Sequence, residues 1–200
     1  IHLEEIHKER ARKRIATLKG DHKGPIACLC PISAMITKNL LDWQNKVVVE
    51  ELRNNGCWVY GLHTQPIPDL QKLDVPVVHG VPIRDWMGLL DIADYVVSVD
   101  SAAFHFAGNQ KKPMVGIFTF ADGKVYGKYF DFVLVQKHRD NGDWPCGPCY
   151  NWSICPFTRK WPKQSLTDVF RAMLKNGITE MSQTCPIGAN LDQNTQVKDR

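Results

Sequence analysis

Short apolar runs alternate with helix-like segments along most of this chain, and this alternation limits the fold more than any other feature. Strands are predicted at residues 25–30, 57–61, 75–79, 95–99, 113–118 and 131–135. Helices are predicted at residues 40–54, 83–93 and 102–109, with a last one at 165–175. Short continuous apolar runs suit strands that are buried on both faces. The pattern is typical of an α/β protein, with a mostly parallel sheet and helices on both faces.

Composition narrows the class of protein further. With 200 residues, 44% of them hydrophobic, the chain can form one domain with a sizeable core. The net charge of +4 is small, and the aromatic residues are not interleaved with Lys and Arg as in single-strand binders, so we predict no nucleic-acid partner. No apolar run approaches the ~18 residues of a membrane-spanning helix, and no signal peptide is evident. The chain starts with Ile1, so we expect a fragment or a processed product.

The two ends of the chain differ in character from its middle. Residues 1–23 form a basic helical lead-in or interdomain linker, with a helix predicted at 4–19. A charge run there favours a solvated helix, and binding of phosphate or an acidic membrane is the alternative. We place the main domain at residues 24–178, including an irregular cysteine-bearing loop at 141–162, and a polar tail at 179–200.

The most informative motif follows the predicted strand at 95–99. This apolar run ends in Asp100 and Ser101, and His105 lies five residues after the acid. In open α/β sheets, ligands bind beyond the carboxyl end of a strand and at a helix N-terminus. The three side chains are therefore predicted to meet in one crevice. The alternative is that Asp100 and Ser101 only cap the following helix.

Two other strand ends carry polar groups that should reach the same edge of the sheet. Ser33, Thr37 and Lys38 follow the first strand and could hold a diphosphate, or they could be an ordinary helix cap with an exposed lysine. Thr119 and Asp122 follow the strand at 113–118. Together these groups predict an anionic nucleotide derivative as ligand. The P-loop pattern and the Gly-x-Gly-x-x-Gly of NAD-dependent dehydrogenases are both absent.

The seven cysteines fall into two groups. Cys28, Cys30 and Cys57 lie in strand-like runs and are predicted to be buried thiols in a reducing, cytoplasmic compartment. The other four are predicted to hold a structural zinc or iron: Cys146, Cys149, Cys155 and Cys185. One disulfide with a spare thiol, and free thiols, are the alternatives. Redox activity is disfavoured because no helix follows the Cys-x-x-Cys pair.

The ordered motifs resemble the ADP-heptose:lipopolysaccharide heptosyltransferase family. The resemblance rests on Asp-Ser-x-x-x-His-x-Ala at 100–107, followed by Lys-Lys-Pro-Met-Val-Gly-Ile-Phe at 111–118. Residues 31–43, with Lys38 and Trp43, resemble a family segment of hydroxyls, lysine and tryptophan. The similarity extends over roughly residues 26–120. It implies one half of a GT-B fold, the Rossmann-like C-terminal half that binds the sugar nucleotide.

The resemblance also implies roles for individual residues. Ser33 and Lys38 would contact the donor diphosphate, Asp100 the donor sugar, and Ser101 with the following amides the phosphate. His105 would support this loop or contact the diphosphate, and Thr119 matches the family's Gly-x-Thr loop. One departure is Ala102, which stands where the family has glycine. Phe120 and Ala121 depart as well, replacing a small residue and proline. His63 and His79 are either lining residues of the base or ribose pocket or polar strand ends.

The implied activity is transfer of a sugar from a nucleoside-diphosphate sugar to a glycan, lipopolysaccharide or protein acceptor. In this family the catalytic base lies in an N-terminal domain without a counterpart in these residues, so an N-terminal acceptor domain or a partner chain is expected. A non-catalytic binding or assembly module is the alternative. Enzymes of this architecture need no divalent metal at the diphosphate, since a helix dipole and basic side chains take up the charge. Relatives that glycosylate autotransporters carry a cysteine-bound metal finger, which is similar to the four-cysteine prediction.

Overall fold

The computed structural model describes residues 2–119, 121–136, 171–172 and 174–175. In this part of the chain the helices are α1 (Glu5–Lys19), α2 (Asp42–Asn54), α3 (Pro68–Gln71), α4 (Ile83–Ile92), α5 (Ala102–Asn109) and α6 (Gly123–Tyr126). The strands are β1 (Ile26–Cys30), β2 (Trp58–Leu62), β3 (Val77–Val78), β4 (Tyr95–Val99), β5 (Met114–Ile117) and β6 (Val133–Val135). A 3₁₀ turn occupies Ile36–Lys38.

The strands form one sheet in the order β3-β2-β1-β4-β5-β6, and every neighbouring pair is parallel. This is the strand order of a Rossmann-like sheet and confirms the predicted fold class. Chain progress reverses direction between β1 and β4, where Leu29 pairs with Val97 and Cys30 with Ser98. In such sheets the reversal leaves a crevice beyond the carboxyl ends of the two central strands.

Helices cover both faces of this sheet, and successive strand residues point to opposite faces. On one face, Leu29 packs in a core with Val48 and Leu52 of α2. On the other face, Cys28 packs in a core with Leu89 of α4 and Phe104 of α5. The sheet is therefore enclosed as the apolar runs predict, and β1 and β4 end below the crevice.

Helix α1 packs along α4 rather than standing free. Its buried contacts come from Ala11 and Ile15, which are 2% and 1% exposed. Lys8 Nζ lies 2.9 Å from Asp91 Oδ2 at the same interface. The remaining charged side chains of α1 give it a solvated outer face, as the charge run predicts. The domain boundaries at residues 23 and 178 stay predictions.

The three cysteines in the described strands and turns are buried, as predicted. Cys28, Cys30 and Cys57 are 0%, 2% and 5% exposed, and all three are free thiols. Burial raises the pKa of Cys57 to about 11. A thiol with a raised pKa is a poor nucleophile and metal ligand near neutral pH, so Cys57 contributes to packing.

Some predictions differ from the structure or fall outside the described residues. The short helices α3 and α6 and the turn Ile36–Lys38 are not predicted, because four residues or fewer show no helical periodicity. Most of the helix predicted at 165–175, the loop at 141–162 and the tail at 179–200 lie outside the described residues. Residues 171–172 and 174–175 are helical. Among the residues described, no helix is long and apolar enough to cross a membrane.

Candidate functional site

The candidate site lies at the reversal of strand order, where β1 and β4 end side by side. The loop after β1 contributes Ser33, Thr37 and Lys38, and the turn after β4 contributes Asp100 and Ser101. These residues are far apart in the sequence, and parallel pairing of the two strands brings them to one edge. The structure therefore supports the prediction that separate strand ends open on one crevice.

An ion pair spans this crevice. Lys38 Nζ donates to Asp100 Oδ2 at 2.6 Å, although the two residues are 62 positions apart. The Asp100 side chain is 7% exposed and that of Lys38 is 18% exposed. His105 Nε2 lies 3.6 Å from the other carboxylate oxygen, and its ring is 44% exposed. One buried carboxylate thus faces an ammonium and an imidazole, with the imidazole on the solvent side.

Ser101 is both a helix cap and part of the crevice wall. Its Oγ accepts a hydrogen bond from the amide of Ala103 at 3.3 Å, as an N-cap does. A second contact, 3.1 Å between Ser98 Oγ and Ser101 Oγ, ties the cap to β4. The first turn of a helix carries amides without intrahelical partners, and the helix dipole is positive there. Ala102, in that turn, is exposed.

Hydrogen bonds within and between loops shape the β1 side of the crevice. Thr119 Oγ1 donates to the Thr37 carbonyl at 2.9 Å, which ties the β5 end to the β1 loop. The Thr37 hydroxyl is buried and has no hydrogen-bond partner among the described residues. The amide of Ser33 donates to Asn39 Oδ1 at 2.8 Å, and Ser33 Oγ accepts from the amide of Met35 at 3.4 Å. Ser33 and Thr119 therefore stabilise the loop that carries Lys38.

Two residues near the site are not among those predicted from the sequence. Asn39 orders the β1 loop, and an asparagine in a loop is a recognisable signal for such a side chain-to-backbone bond. Phe130 packs against the His105 ring, with ring centroids 5.9 Å apart and planes at 63°. Phe104 contacts the same imidazole edge-on at 5.3 Å. The Phe130 contact depends on the path of the chain between α6 and β6 and has no local sequence signal.

The two histidines at the outer strand ends are less informative. His63 Nδ1 accepts from the amide of Gln65 at 3.2 Å, so it is held within its own loop. His79 is exposed after β3. These observations fit both a lining role in a nucleotide pocket and a polar strand end, and both roles stay predictions.

The metal site predicted from four cysteines lies outside the described residues, because Cys146, Cys149, Cys155 and Cys185 all belong to that part. Among the residues that are described, no group of three or more His, Cys, Asp or Glu side chains is placed to bind a metal ion.

Open concavities occur elsewhere on the described surface. One of about 320 Å³ lies between α1 and α4 beside Ile15, Lys19 and Asp91. Another of about 250 Å³ lies near Arg53 and Trp58. A ligand site needs convergent polar groups as well as volume, and neither concavity includes the ion pair. The chemistry therefore favours the crevice between β1 and β4, where a cation, a carboxylate and a helix N-terminus meet.

The arrangement suits a ligand that is both anionic and rich in hydroxyls. Lys38 and the first turn of α5 can bind phosphate oxygens, and the Asp100 carboxylate can accept hydrogen bonds from hydroxyl groups. The site residues that the described chain brings into direct contact are Lys38 with Asp100, Asp100 with His105, and Thr37 with Thr119. The ligand-binding roles of all of them stay predictions.

Comparison with known proteins gives no match by sequence and clear matches by structure. No protein-family model and no curated protein matches the sequence. Among solved structures, ADP-heptose lipopolysaccharide heptosyltransferase II of E. coli has a TM-score of 0.56 at 13% identity, over 87% of this chain and 53% of its own. A glycosyl transferase family 9 protein from Veillonella parvula has a TM-score of 0.62 at 13% identity, over 87% and 53%. TibC from enterotoxigenic E. coli, described as an iron-containing dodecameric glycosyltransferase, has a TM-score of 0.59 at 16% identity, over 81% and 46%.

These neighbours confirm the resemblance to heptosyltransferases at the level of the fold. Identities this low show a shared fold and nothing finer. The chain spans about half the length of the solved structures it matches.

Proposed function

We propose that this chain is the nucleotide-sugar-binding half of a glycosyltransferase. The observation that carries the proposal is the Lys38–Asp100 ion pair, placed beside the N-terminus of α5 at the reversal of strand order. A sheet of this topology binds nucleotides at that point. The structural neighbours are heptosyltransferases and a family 9 glycosyl transferase, and one of them was solved with ADP-D-beta-D-heptose.

In the proposed complex, the donor diphosphate lies against Lys38 and the first turn of α5, and Asp100 binds hydroxyls of the sugar. Ser33, Ser101 and Thr119 hold the surrounding loops in place. An acceptor oxygen attacks the anomeric carbon, the bond from that carbon to the phosphate oxygen breaks, and the nucleoside diphosphate leaves with the electron pair. Lys38 and the α5 dipole stabilise the charge on the leaving group, so the proposal includes no divalent metal there.

The proton lost by the acceptor needs a general base, and we propose that a partner domain or a partner chain supplies it. This part of the proposal is supported by the length comparison, since the chain corresponds to about half of each neighbour. The acceptor, whether glycan, lipopolysaccharide or protein, would bind mainly to that other half.

We also propose a reducing, cytoplasmic location and a structural zinc or iron at the four-cysteine cluster. The location is supported by the free state of the buried Cys28, Cys30 and Cys57 thiols. The metal is supported by the donor set, since four thiolates suit tetrahedral zinc or iron. That TibC is described as iron-containing adds to this.

Nucleotide binding tests the central proposal. We expect millimolar ADP or UDP to raise the thermal unfolding midpoint, because a ligand at about 100 times its dissociation constant stabilises the folded state by about 2.7 kcal/mol. Lys38→Met should weaken this binding at least about tenfold, since it removes the ammonium that pairs with phosphate. The matched control is Lys72→Met, which removes the same charge from the exposed ion pair with Asp69 and should bind nucleotide normally. Absence of any shift in the unmodified protein at millimolar nucleotide would contradict the proposal.

A further inference from the structure

We infer that Asp100 makes the crevice select phosphate by charge, so that a phosphodiester with one negative charge is preferred over a terminal phosphate with two. This inference rests on the proposed function, in which the first group belongs to the nucleotide-sugar donor and the second to the nucleoside-diphosphate product. Asp100 is then a specificity-determining residue that favours release of the product over its retention.

Lys38, the cation proposed to bind phosphate, already pairs with a group of opposite charge. Lys38 Nζ is 2.6 Å from Asp100 Oδ2, and both side chains are largely buried. The ammonium and the carboxylate together carry no net charge. A phosphate that reaches Lys38 must therefore share it with a carboxylate that lies in direct contact with the same nitrogen.

The carboxylate cannot easily move away from this position. Asp100 follows directly on β4, whose five residues are all buried, and its side chain is only 7% exposed. On its other side the His105 imidazole lies 3.6 Å from Oδ1. His105 is backed in turn by the rings of Phe104 and Phe130. A bound phosphate thus meets a fixed negative charge rather than one that swings into solvent.

The two phosphates differ in the charge they bring to this carboxylate. An esterified phosphate keeps one ionisable oxygen, whereas a terminal phosphate loses its second proton near pH 6 and approaches a charge of −2 at pH 8. Repulsion between charges a few ångströms apart is much stronger in a partly buried crevice than in water. The first turn of α5 carries a partial positive charge of about half a unit and attracts the doubly charged form more, so it opposes this preference, but with less than the full charge of the carboxylate. The carboxylate supplies the selectivity.

One pair of nucleotides isolates charge from sugar contacts. ADP and its β-fluoro analogue, with fluorine replacing one terminal oxygen, have nearly the same size, but the fluorinated phosphate carries a single charge. At pH 8 we expect the unmodified protein to bind β-fluoro-ADP about tenfold more tightly than ADP by calorimetry. In Asp100→Asn, an isosteric change that removes the charge, we expect this ratio to fall to within about twofold, mainly because ADP binds more tightly.

A matched control removes a carboxylate elsewhere. Asp69, in α3, forms an exposed ion pair with Lys72 at 2.9 Å outside the crevice, so Asp69→Asn should keep the tenfold preference. The comparison in the unmodified protein keeps the inference falsifiable even where Asp100→Asn does not fold.

The outcomes separate the inference from the proposed function. Binding of both nucleotides with equal affinity to the unmodified protein overturns charge selection and leaves the donor site standing. If Asp100→Asn keeps the full preference for β-fluoro-ADP, charge selection by Asp100 is likewise overturned and the donor site stands. Failure of both nucleotides to bind either protein overturns the proposed function and the inference together.

Discussion

At Asp100 and Ser101, helix capping does not exclude the proposed ligand binding, because Ser101 alone caps α5. Ser101 Oγ accepts the amide of Ala103 and so begins α5. This leaves the Asp100 carboxylate to face Lys38 across the crevice. The cap fixes where the first turn of α5 starts, and that start decides which amides a ligand would meet. The structural role of one residue thus positions the proposed functional role of the other.

Phe130 links the core to the candidate site through a glycine. An added Cβ on Gly108 of α5 would lie only 2.4 Å from the Phe130 ring, so this close contact requires a residue without a side chain. The same ring packs against His105. We expect Gly108→Ala to destabilise the protein by about 1–3 kcal/mol, because the ring must shift in a packed core. Chemical denaturation measures this loss.

A double-mutant cycle supplies the control for this contact. With Phe130→Ala present, Gly108→Ala should become neutral or stabilise the fold by up to about 1 kcal/mol, since alanine has the higher helix propensity. The His105 ring resonances should shift in both single variants. Additive effects of the two substitutions on the free energy of unfolding would disprove the link.

At the scale of elements, the sequence predicts the sheet and its long helices well. The runs that form β1, β4 and β5 are apolar apart from Ser98 in β4, as expected for strands buried on both faces. Predicted bounds for α5 agree with the observed Ala102–Asn109. The short helices α3 and α6 escape prediction because four residues show no helical periodicity.

The candidate site is also predictable in part from the sequence. Parallel pairing brings strand ends together, so residues directly after β1 and β4 can be placed in one crevice from the order of elements alone. The direct contact of Lys38 with Asp100 is a different matter, since it depends on the 3₁₀ turn at Ile36–Lys38. The packing of Phe130 on His105 depends on the connection from α6 to β6. Such contacts are tertiary and leave no periodic signal.

The packing of α1 on α4 depends on one close approach of backbone atoms. An ideal Cβ on Gly88 of α4 would lie 2.5 Å from the carbonyl oxygen of His7, and a backbone atom cannot rotate away as a side chain can. We expect Gly88→Ala to push α1 outward and destabilise the protein by about 1–3 kcal/mol, in spite of a gain of about 1 kcal/mol in helix propensity.

Hydrogen exchange locates the effect of this substitution. Amides of α1 should exchange faster in Gly88→Ala, whereas those of β1 and β4 should change less, because only the helix interface opens. The control is Thr17→Ala, at an exposed position of α1. This substitution should leave exchange in α1 nearly unchanged. Uniform loss of protection over the whole sheet would instead indicate that α1 does not open separately.

At the scale of the whole molecule, we expect this chain to bind the nucleotide sugar and another domain or chain to bind the acceptor. The described residues gather groups suited to a nucleotide sugar along one edge of the sheet. The solved structures that share this fold are about twice as long, and the proposed reaction needs a base and an acceptor site as well. We therefore expect sugar transfer only when the other half, as a domain or a partner chain, is present, whereas nucleotide binding should need this chain alone.

The four-cysteine cluster gives the last prediction at this scale. Cys146, Cys149, Cys155 and Cys185 provide enough thiolates for one tetrahedral metal ion, and a segment rich in proline and tryptophan gains order from such a cross-link. Anaerobically purified protein should contain about one zinc or iron per chain by elemental analysis. The elemental analysis itself distinguishes iron from zinc, and visible thiolate-to-iron charge transfer that develops on oxidation would show that iron is bound by cysteine. Cys149→Ser should lose most of the metal and lower the unfolding temperature, whereas Cys57→Ala, at a buried thiol of the core, should keep the metal.

A fully folded sample without metal, obtained without chelators, would remove the metal site from the proposal while leaving the nucleotide crevice untouched.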